Sequence, residues 1–403
     1  MNNAAEKHKA KSYWAVGYAI LALMIGTNMP SPLYQVYMQK WGFTPGTLTA
    51  IFACYAFFLI PSLVVFGRMT DRIGRKSIIV IGLLLAAFGT LFFAFAQDVF
   101  MLFVGRAIQG IAVGAVSVAA TAALMELHPT ENRRNAALVT TLATAGGTAV
   151  GPLLSGGIAE FTGHALDIPF YLELFLLVPA IFAVALIPSS LDKKSPSSTA
   201  AQSSEKSQLV IDSTLFALAS AAAFVAWSVA ALFMSLMPSY VSQLLGIHSL
   251  LIGGGTIFAM LAASIVAQIG LRGIVPSRNI LSGLVFLSVG LCAVVFSVIA
   301  HSFVLLEIGT ALCGLGHGMV FVGATVMVNI LVSPANRGRA LSIYYIVIYL
   351  GVGLPILLIG LLASRTDLRF AVSVFTAAIL FISVLLGILI FKRMDRIKAL
   401  IHG

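Results

Sequence analysis

The sequence predicts an all-α integral membrane protein with twelve transmembrane helices in two pseudo-symmetric six-helix halves. The first observation is composition: of 403 residues, 60% are hydrophobic and 9% are charged, and the mean hydropathy is +1.03. Soluble domains are about 45–50% apolar and about 25% charged. The second is that the apolar runs have about the 20-residue length that spans a bilayer as a helix, without the alternation of a β-barrel. The third is a repeat between the two halves.

Short polar segments divide the chain into twelve apolar runs. Pro30 and Pro32 are expected to end or kink the first run. The serine-rich segment 189–212 has no apolar periodicity and predicts a flexible cytoplasmic linker. It separates an N-terminal half, residues 1–188, from a C-terminal half, residues 213–403, which ends in a short basic tail. The predicted spans are 13–34, 50–66, 77–96, 99–125, 136–159, 168–187, 213–237, 249–270, 279–300, 303–332, 340–362 and 370–391.

The two halves repeat each other at an offset of 204 residues. Single glycine matches are common in membrane helices, but many matches at one offset are not expected by chance. Parallel six-helix repeats are typical of transporters that bind substrate between the halves near the bilayer midplane. The matched pairs are Gly105 and Gly309, Gly110 and Gly314, Gly114 and Gly318, Asn132 and Asn336, Arg133 and Arg337, Ala136 and Ala340, Gly147 and Gly351, and Gly156 and Gly360.

The net charge of +10 is distributed as in a membrane protein. Most lysines and arginines fall in segments that the span pattern assigns to one side, and Lys40, Arg365 and Arg369 fall on the other. This asymmetry indicates a multi-pass protein of the cell membrane (inner or plasma membrane) with both termini in the cytoplasm. The expected partners are a small-molecule substrate, protons and the lipid bilayer, without nucleic acid, and the chain is expected to be a monomer.

The sequence carries no sign of an enzyme. Cys54, Cys292 and Cys313 all fall in apolar spans, which favours packing over a disulfide or metal site. A phosphate-binding loop, paired catalytic carboxylates and a nucleophile elbow are all missing from the sequence. We therefore expect no catalytic residues, no metal and no cofactor.

Five charges fall within ten residues between the second and third runs, in Gly67-Arg68-Met69-Thr70-Asp71-Arg72-Ile73-Gly74-Arg75-Lys76. We expect a short cytoplasmic loop in which the glycines allow a tight turn. The pattern of Gly67, Asp71, Arg72, Gly74, Arg75 and Lys76 resembles the loop motif between the second and third helices of the major facilitator superfamily, a family of secondary transporters. The resemblance implies a gating role, with Asp71 pairing at the cytoplasmic end of the opposite half and Arg133 or the region near Arg339 as partners.

Arg106 lies inside the fourth apolar run and is followed by Gln109-Gly110. A charge inside a span costs at least about 2.5–3.5 kcal/mol, so it should face the interior with a partner. The segment resembles the fourth-helix motif of the same superfamily, which implies a role in proton transfer or in ordering the interior polar network. A structural arginine bonded to backbone carbonyl groups is the alternative, and the two roles are compatible.

The fifth run contains a stripe of small residues that lets helices approach closely. It resembles the fifth-helix motif of the antiporter branch of the superfamily, in the residues Gly147, Gly151, Pro152 and Gly156. Ser155 stands where that motif has a glycine, so the match is imperfect. The resemblance covers nearly the whole chain and implies the twelve-helix drug:proton antiporter branch.

Glu307 and His317, both in the tenth run, are the candidates for proton coupling beside Arg106. An interior carboxyl group can take up and release protons near neutral pH, and histidine titrates in the same range. An interfacial glutamate and a neutral, hydrogen-bonded histidine are the alternatives. Most other acids, Glu173 among them, are expected at the ends of spans or in loops.

Uncharged polar and aromatic side chains inside the spans suit a cavity for a partly apolar substrate. Roles in helix packing are the alternative for each of them. The candidates are Asn28, Tyr34, Tyr55, Gln109, Trp227, Gln268, Asn329, Tyr344 and Tyr345.

The function that the sequence predicts is export of small, amphipathic or lipophilic compounds by alternating access coupled to proton antiport. Export of one dedicated metabolite, such as a metallophore, peptide antibiotic or sugar, fits the same motifs. Proton-coupled uptake is a second alternative. A non-transporting membrane receptor or a lipid-handling protein is an alternative of a different class.

Overall fold

The computed structural model describes residues 2–127, 133–188, 212–271, 273–333 and 336–397, and their side chains except for residues 2–7, 71, 133–137 and 337. The predicted linker, apart from Asp212, lies outside the described residues. The described part forms thirteen helices. They are α1 (Asn2–Asn28), α2 (Pro30–Trp41), α3 (Pro45–Ile73), α4 (Arg75–Ala94), α5 (Val99–Leu127), α6 (Arg133–Thr162), α7 (Ile168–Ala185), α8 (Ser213–Leu244), α9 (Leu250–Gly270), α10 (Pro276–Ile299), α11 (Phe303–Leu331), α12 (Arg337–Arg365) and α13 (Leu368–Phe391).

Twelve spans are present among the described residues, as the sequence predicted. The first span, His8–Trp41, consists of α1 and α2. The break between them falls at Met29, directly before Pro30 at the start of α2. Proline at the first helical position has no amide hydrogen to place in the preceding turn, so the direction of the chain can change there.

The helices extend further than the apolar runs, and the expected loop 67–76 is wrong in its extent. Helix α3 continues to Ile73 and α4 begins at Arg75, so Gly74 alone separates them. Its φ of 92° lies in a region that side chains disfavour, so one glycine makes the whole turn. The basic residues stay helical because a helix end that reaches water can continue with polar side chains.

The chain forms two compact units. The first unit contains Met1–Gly42 and Cys54–Ala200, and the second contains Phe43–Ala53 and Ala201–Gly403. In the first unit, α1 packs on α5, α6 and α7, and α4 packs on α5 and α7. In the second unit, α11 packs on α8, α9 and α10, and α8 packs on α12. Large apolar side chains such as Phe161 of α6 and Phe175 of α7, 79% and 72% exposed, cover the outer faces of helices and suit contact with lipid.

The glycines of the repeat make equivalent contacts in each unit. Gly105 of α5 lies against the carbonyl group of Gly89 in α4, and Gly309 of α11 against that of Gly290 in α10. Gly114 lies against Ser62 and the carbonyl group of Leu59 in α3, and Gly318 against Ala267 and the carbonyl group of Ser264 in α9. A Cβ at any of these glycines would press on a neighbouring backbone. The repeat in the sequence is therefore a repeat of close helix contacts.

Candidate functional site

Arg106 is the centre of a buried polar cluster in the first unit. Its side chain is 2% exposed. The guanidinium group donates through Nε to the hydroxyl of Tyr34. It donates through Nη1 to the carbonyl oxygen of Thr27 at 2.6 Å and to Oε1 of Gln109 at 3.2 Å. Among these partners none carries a negative charge, so the cation is stabilised by dipoles.

Three aromatic rings enclose the same guanidinium group. Its carbon atom lies 5.3 Å from the ring centre of Tyr34, 5.8 Å from that of Tyr55 and 5.7 Å from that of Phe93. Cations are attracted to ring faces at such distances. The enclosure depends on Gly110, where a Cβ would overlap the backbone of Tyr55 and push α3 away from α5.

Glu173 of α7 is the acid of this region, and although it lies near the start of its span, as expected, it is an embedded acid that the sequence did not single out. The side chain is fully buried, at 0% exposed. Neither carboxyl oxygen has a hydrogen-bond partner among the described residues. The neighbouring Thr90 gives its own hydroxyl hydrogen to the carbonyl oxygen of Ala86 at 2.8 Å, while Arg106 attracts Glu173 electrostatically.

Gly26 of α1 provides the space for that carboxyl group. A Cβ at this position would overlap Cγ, Cδ and Oε1 of Glu173. The burial of Glu173 could not be predicted from the sequence, because the glycine that makes room for it lies 147 residues earlier in the chain. Gln109, Gln35 and Ser31 each hold one further buried polar atom without a partner in this described part of the chain. Unpartnered buried polar groups are uncommon, and each calls for an explanation such as an ordered water, a bound ion or a catalytic role.

The small-residue stripe of α6 packs on α1. A Cβ at Gly147 would come within 2.7 Å of Cβ of Met24 and 2.8 Å of the carbonyl oxygen of Leu21, and one at Gly151 would overlap the backbone of Ile25. Ser155 donates its hydroxyl to the carbonyl oxygen of Met29 at 2.7 Å, at the break between α1 and α2. Pro152 lies inside α6, and both it and Gly156 are buried.

The basic segment around Gly74 makes contacts inside the first unit. Arg75 forms an ion pair with Glu126, at the end of α5, and donates to the carbonyl oxygen of Ala122 at 3.1 Å. Lys76 donates to the carbonyl oxygen of Ile187 at 2.7 Å. Gly67 lies in α3 beside Val118, and Arg72 is exposed. The side chains of Asp71 and Arg133 lie outside the described residues.

In the second unit, Glu307 and His317 stand in different surroundings. Glu307 is half-buried near the start of α11 and accepts a hydrogen bond from the hydroxyl of Thr256 at 2.6 Å. His317 is 2% exposed, and its Nδ1 lies 2.7 Å from Oγ of Ser264. The rings of His317 and Trp227 are 5.0 Å apart.

The remaining cavity candidates fall into separate groups. Asn28 donates to the carbonyl oxygen of Met24 at 2.7 Å, within its own helix. Asn329 likewise donates to Thr325 at 2.8 Å. The hydroxyl of Tyr344 lies 3.0 Å from that of Thr325, and the ring of Tyr345 is 5.7 Å from that of Tyr344. Gln268 donates to Ser264 and so joins the group around His317.

The family model described as "Major Facilitator Superfamily" matches residues 16–279 and 275–400. The chain belongs to this superfamily. The twelve-helix fold and the resemblance predicted from the sequence are thereby confirmed. Since this family is one of transporters, the prediction of a transporter in place of an enzyme is confirmed as well.

Relatives with similar sequences are named as drug-resistance proteins. The chain is 29% identical over 171 residues to "Multidrug resistance protein 2" of Bacillus subtilis, covering 42% of this chain and 41% of that protein. It is 26% identical over 162 residues to "Quinolone resistance protein NorA" of Staphylococcus aureus, covering 40% and 41%. It is 33% identical over 119 residues to "Tetracycline resistance protein, class H" of Pasteurella multocida, covering 30% and 29%. These alignments span less than half the length of each relative.

Solved structures share the fold over nearly the full chain. A bacterial homologue of the human lysosomal transporter Spinster, in an inward-facing and unoccupied conformation, has a TM-score of 0.79 at 14% identity, covering 97% of this chain and 98% of the other. The nucleoside transporter NupG has a TM-score of 0.73 at 12% identity, covering 96% and 99%. At these identities the likeness concerns the fold alone.

Proposed function

We propose that this superfamily member exports small amphipathic or lipophilic compounds across the plasma membrane by alternating access coupled to proton antiport, with both termini in the cytoplasm. The observation that carries the proposal is the fully buried carboxyl group of Glu173, which has no hydrogen-bond partner in the described part of the first unit and lies near Arg106. The small-residue packing of α6 on α1 and the drug-resistance relatives support the direction of transport.

We propose that Glu173 alternates between a neutral, protonated state and an ionised state. An ionised carboxylate without partners costs several kcal/mol in such surroundings, so this conformation suits the neutral acid. Arg106, held by Tyr34 and Gln109, is a cation that could pair with the carboxylate after the proton leaves. Exchange between these two states would link proton release to a rearrangement of α1, α5 and α7.

Glu307 remains the second candidate for proton coupling. It differs from Glu173 because it is partly exposed and accepts a hydrogen bond from Thr256. A carboxylate that keeps a donor and reaches solvent needs less rearrangement to ionise. If Glu173 couples transport to protons, Glu173→Gln should be uncoupled. If Glu307 does so, Glu307→Gln should be uncoupled instead.

The test is substrate-induced proton movement in reconstituted vesicles with an imposed pH gradient. A panel of lipophilic cations and neutral drugs is applied, and proton flux is followed with a pH-sensitive dye. We expect several compounds to move protons, and Glu173→Gln to lower the flux by at least about tenfold. Glu160→Gln, which changes an exposed acid at the end of α6, should leave the flux intact.

Each other outcome removes part of the proposal. Loss of flux in Glu307→Gln with normal flux in Glu173→Gln would place coupling in the second unit. Substrate movement in the same direction as protons would indicate uptake. If no compound of the panel moves protons, multidrug export is contradicted, and one dedicated substrate or a role without transport is favoured.

A further inference from the structure

The aromatic cluster of the second unit consists of Trp227, His317 and Phe321, supported by Ser264 and Gln268. The ring centre of Trp227 lies 5.0 Å from that of His317 and 5.6 Å from that of Phe321, with both pairs near perpendicular. The rings of His317 and Phe321 are nearly parallel, 6.2 Å apart. Trp227 and Phe321 are partly exposed, so the cluster has an accessible side.

The hydrogen bonds beneath the cluster assign the tautomer of His317. The amide Nε2 of Gln268 donates to Oγ of Ser264 at 3.0 Å, so this oxygen already accepts one hydrogen bond. The Ser264 hydroxyl must place its own hydrogen elsewhere, and Nδ1 of His317 lies 2.7 Å away. With the Gln268 amide in this orientation, Nδ1 accepts, and the ring hydrogen of the neutral imidazole is on Nε2.

Two N–H donors of this cluster are left without acceptors. Nε2 of His317 and Nε1 of Trp227 are both buried and have no hydrogen-bond partner among the described residues. Leaving a buried donor unsatisfied costs about 1–3 kcal/mol. Two such donors on neighbouring rings are therefore expected to meet an acceptor that is not part of the protein.

We propose that the N–H groups of His317 and Trp227, together with the ring of Phe321, bind planar aromatic compounds that carry a hydrogen-bond acceptor such as a ketone oxygen. The rings offer apolar faces for a flat molecule, and the two unpartnered N–H groups supply donors for an acceptor on it. A purely cationic ligand could use the ring faces but would leave both donors unsatisfied. The inference rests on the proposed transport function and names the substrate class that this part of the second unit selects.

The test compares two probes that differ in one group. Fluorenone carries a ketone oxygen on a flat tricyclic frame, and fluorene has a methylene group in its place. Radiolabelled probes are bound to the full chain in lipid nanodiscs. We expect fluorenone to bind about three- to tenfold more tightly than fluorene, the difference that one or two neutral hydrogen bonds provide.

Variants assign the difference to the cluster. His317→Phe, which leaves only the N–H donor of Trp227, should lose at least half of the preference for fluorenone and leave fluorene binding unchanged, while His317→Gln, which keeps an N–H donor, should recover part of the preference. His248→Phe is the matched control, because His248 also bonds a serine, Ser242 at 2.9 Å, but lies exposed outside the cluster. A thermal unfolding curve for each variant separates lost binding from lost folding.

The proposal is overturned if the probes bind equally, if neither binds, or if His317→Phe weakens both alike. The N–H groups of His317 and Trp227 would then have no part in recognising a ketone oxygen, and the three rings would only pack against one another. Proton flux, measured with the same proteins reconstituted into closed vesicles, keeps the two proposals apart. A preference for the ketone without proton flux would contradict proton-coupled export but support the binding site. Proton flux without that preference would contradict the binding site alone.

Discussion

At the scale of single residues, the first unit holds a buried cation and a buried acid without bringing them into a hydrogen bond. Arg106 is satisfied by Tyr34, Thr27 and Gln109. Glu173 has no hydrogen-bond partner in the part of the chain that the structure describes. An ion pair would offset part of the cost of burying the two charges but would also fix both side chains. The separation leaves each group able to change its partner.

Replacing Gly26 tests whether the space beside Glu173 matters. Gly26→Ala should lower the free energy of unfolding by about 1–3 kcal/mol, because the added Cβ overlaps the buried side chain of Glu173. The loss should shrink to less than half in a Glu173→Ala background, where the added methyl group fits the vacated volume. Thermal unfolding of the four proteins in this double-mutant cycle measures the coupling. Equal losses in both backgrounds would show that Gly26 acts through the helix backbone alone.

Arg106 could be assigned to the interior from the sequence, and Glu173 could not. A charge within a long apolar run must face other polar groups, whatever the packing. Glu173 lies five residues after the start of α7, where sequence alone does not separate a buried acid from one at the membrane surface. Its burial depends on the position of Gly26 in α1, which is a tertiary contact. The roles of Glu307 and His317 remain predictions.

At the scale of helices, the close contact of α6 with α1 depends on which glycine faces the neighbour. A Cβ at Gly147 would meet Met24 and Leu21, while one at Gly146 would meet no atom within 4 Å. Since the two residues are adjacent in one helix, their intrinsic helix preferences are the same. Only packing distinguishes them.

This pair provides a matched test. Gly147→Ala should destabilise the protein, because overpacking costs about 1–3 kcal/mol. Gly146→Ala should be neutral or stabilising by up to about 1 kcal/mol, since alanine is the better helix former. Thermal unfolding in detergent compares the two. A Gly147→Ala protein as stable as Gly146→Ala would mean that α1 and α6 can separate without cost.

At the scale of the whole molecule, charged groups that could not be paired from the sequence connect distant segments within each unit. In the second unit, Oδ1 of Asp212 accepts from the backbone N–H groups of Thr214 and Leu215, both at 3.0 Å, and so caps α8. Its Oδ2 lies 2.7 Å from Nε of Arg396, which follows α13. One buried carboxylate thus joins the first helix to the segment after the last.

Substitutions of Asp212 separate its two contacts. Asp212→Ala should cost about 1–2 kcal/mol of stability, because α8 loses its cap. Asp212→Asn keeps a capping oxygen and should cost less, since the partner Arg396 is 67% exposed and exposed ion pairs contribute little. Thermal unfolding curves show which of the two variants is less stable. An asparagine variant as unstable as the alanine variant would assign the stability to the ion pair.

The spans and the repeat could be predicted from the sequence because lipid imposes long apolar runs and the repeat keeps glycines at contact positions. The helix ends could not, as Gly74 illustrates. Hydropathy reports where the bilayer ends, and the backbone continues to bond internally beyond that point. The glycine stripes were visible in the sequence, but which neighbour each one meets required the fold.

The bond from Ser155 to the carbonyl oxygen of Met29 has a spectroscopic consequence. An amide carbonyl that accepts a hydroxyl group absorbs infrared light at a lower frequency than one bonded only within its helix. Isotopic labelling of the Met29 carbonyl would therefore give a single band that reports the attachment of α1 to α6. If this joint opens during transport, the band will shift upward with each cycle, without any dye or cross-link on the protein.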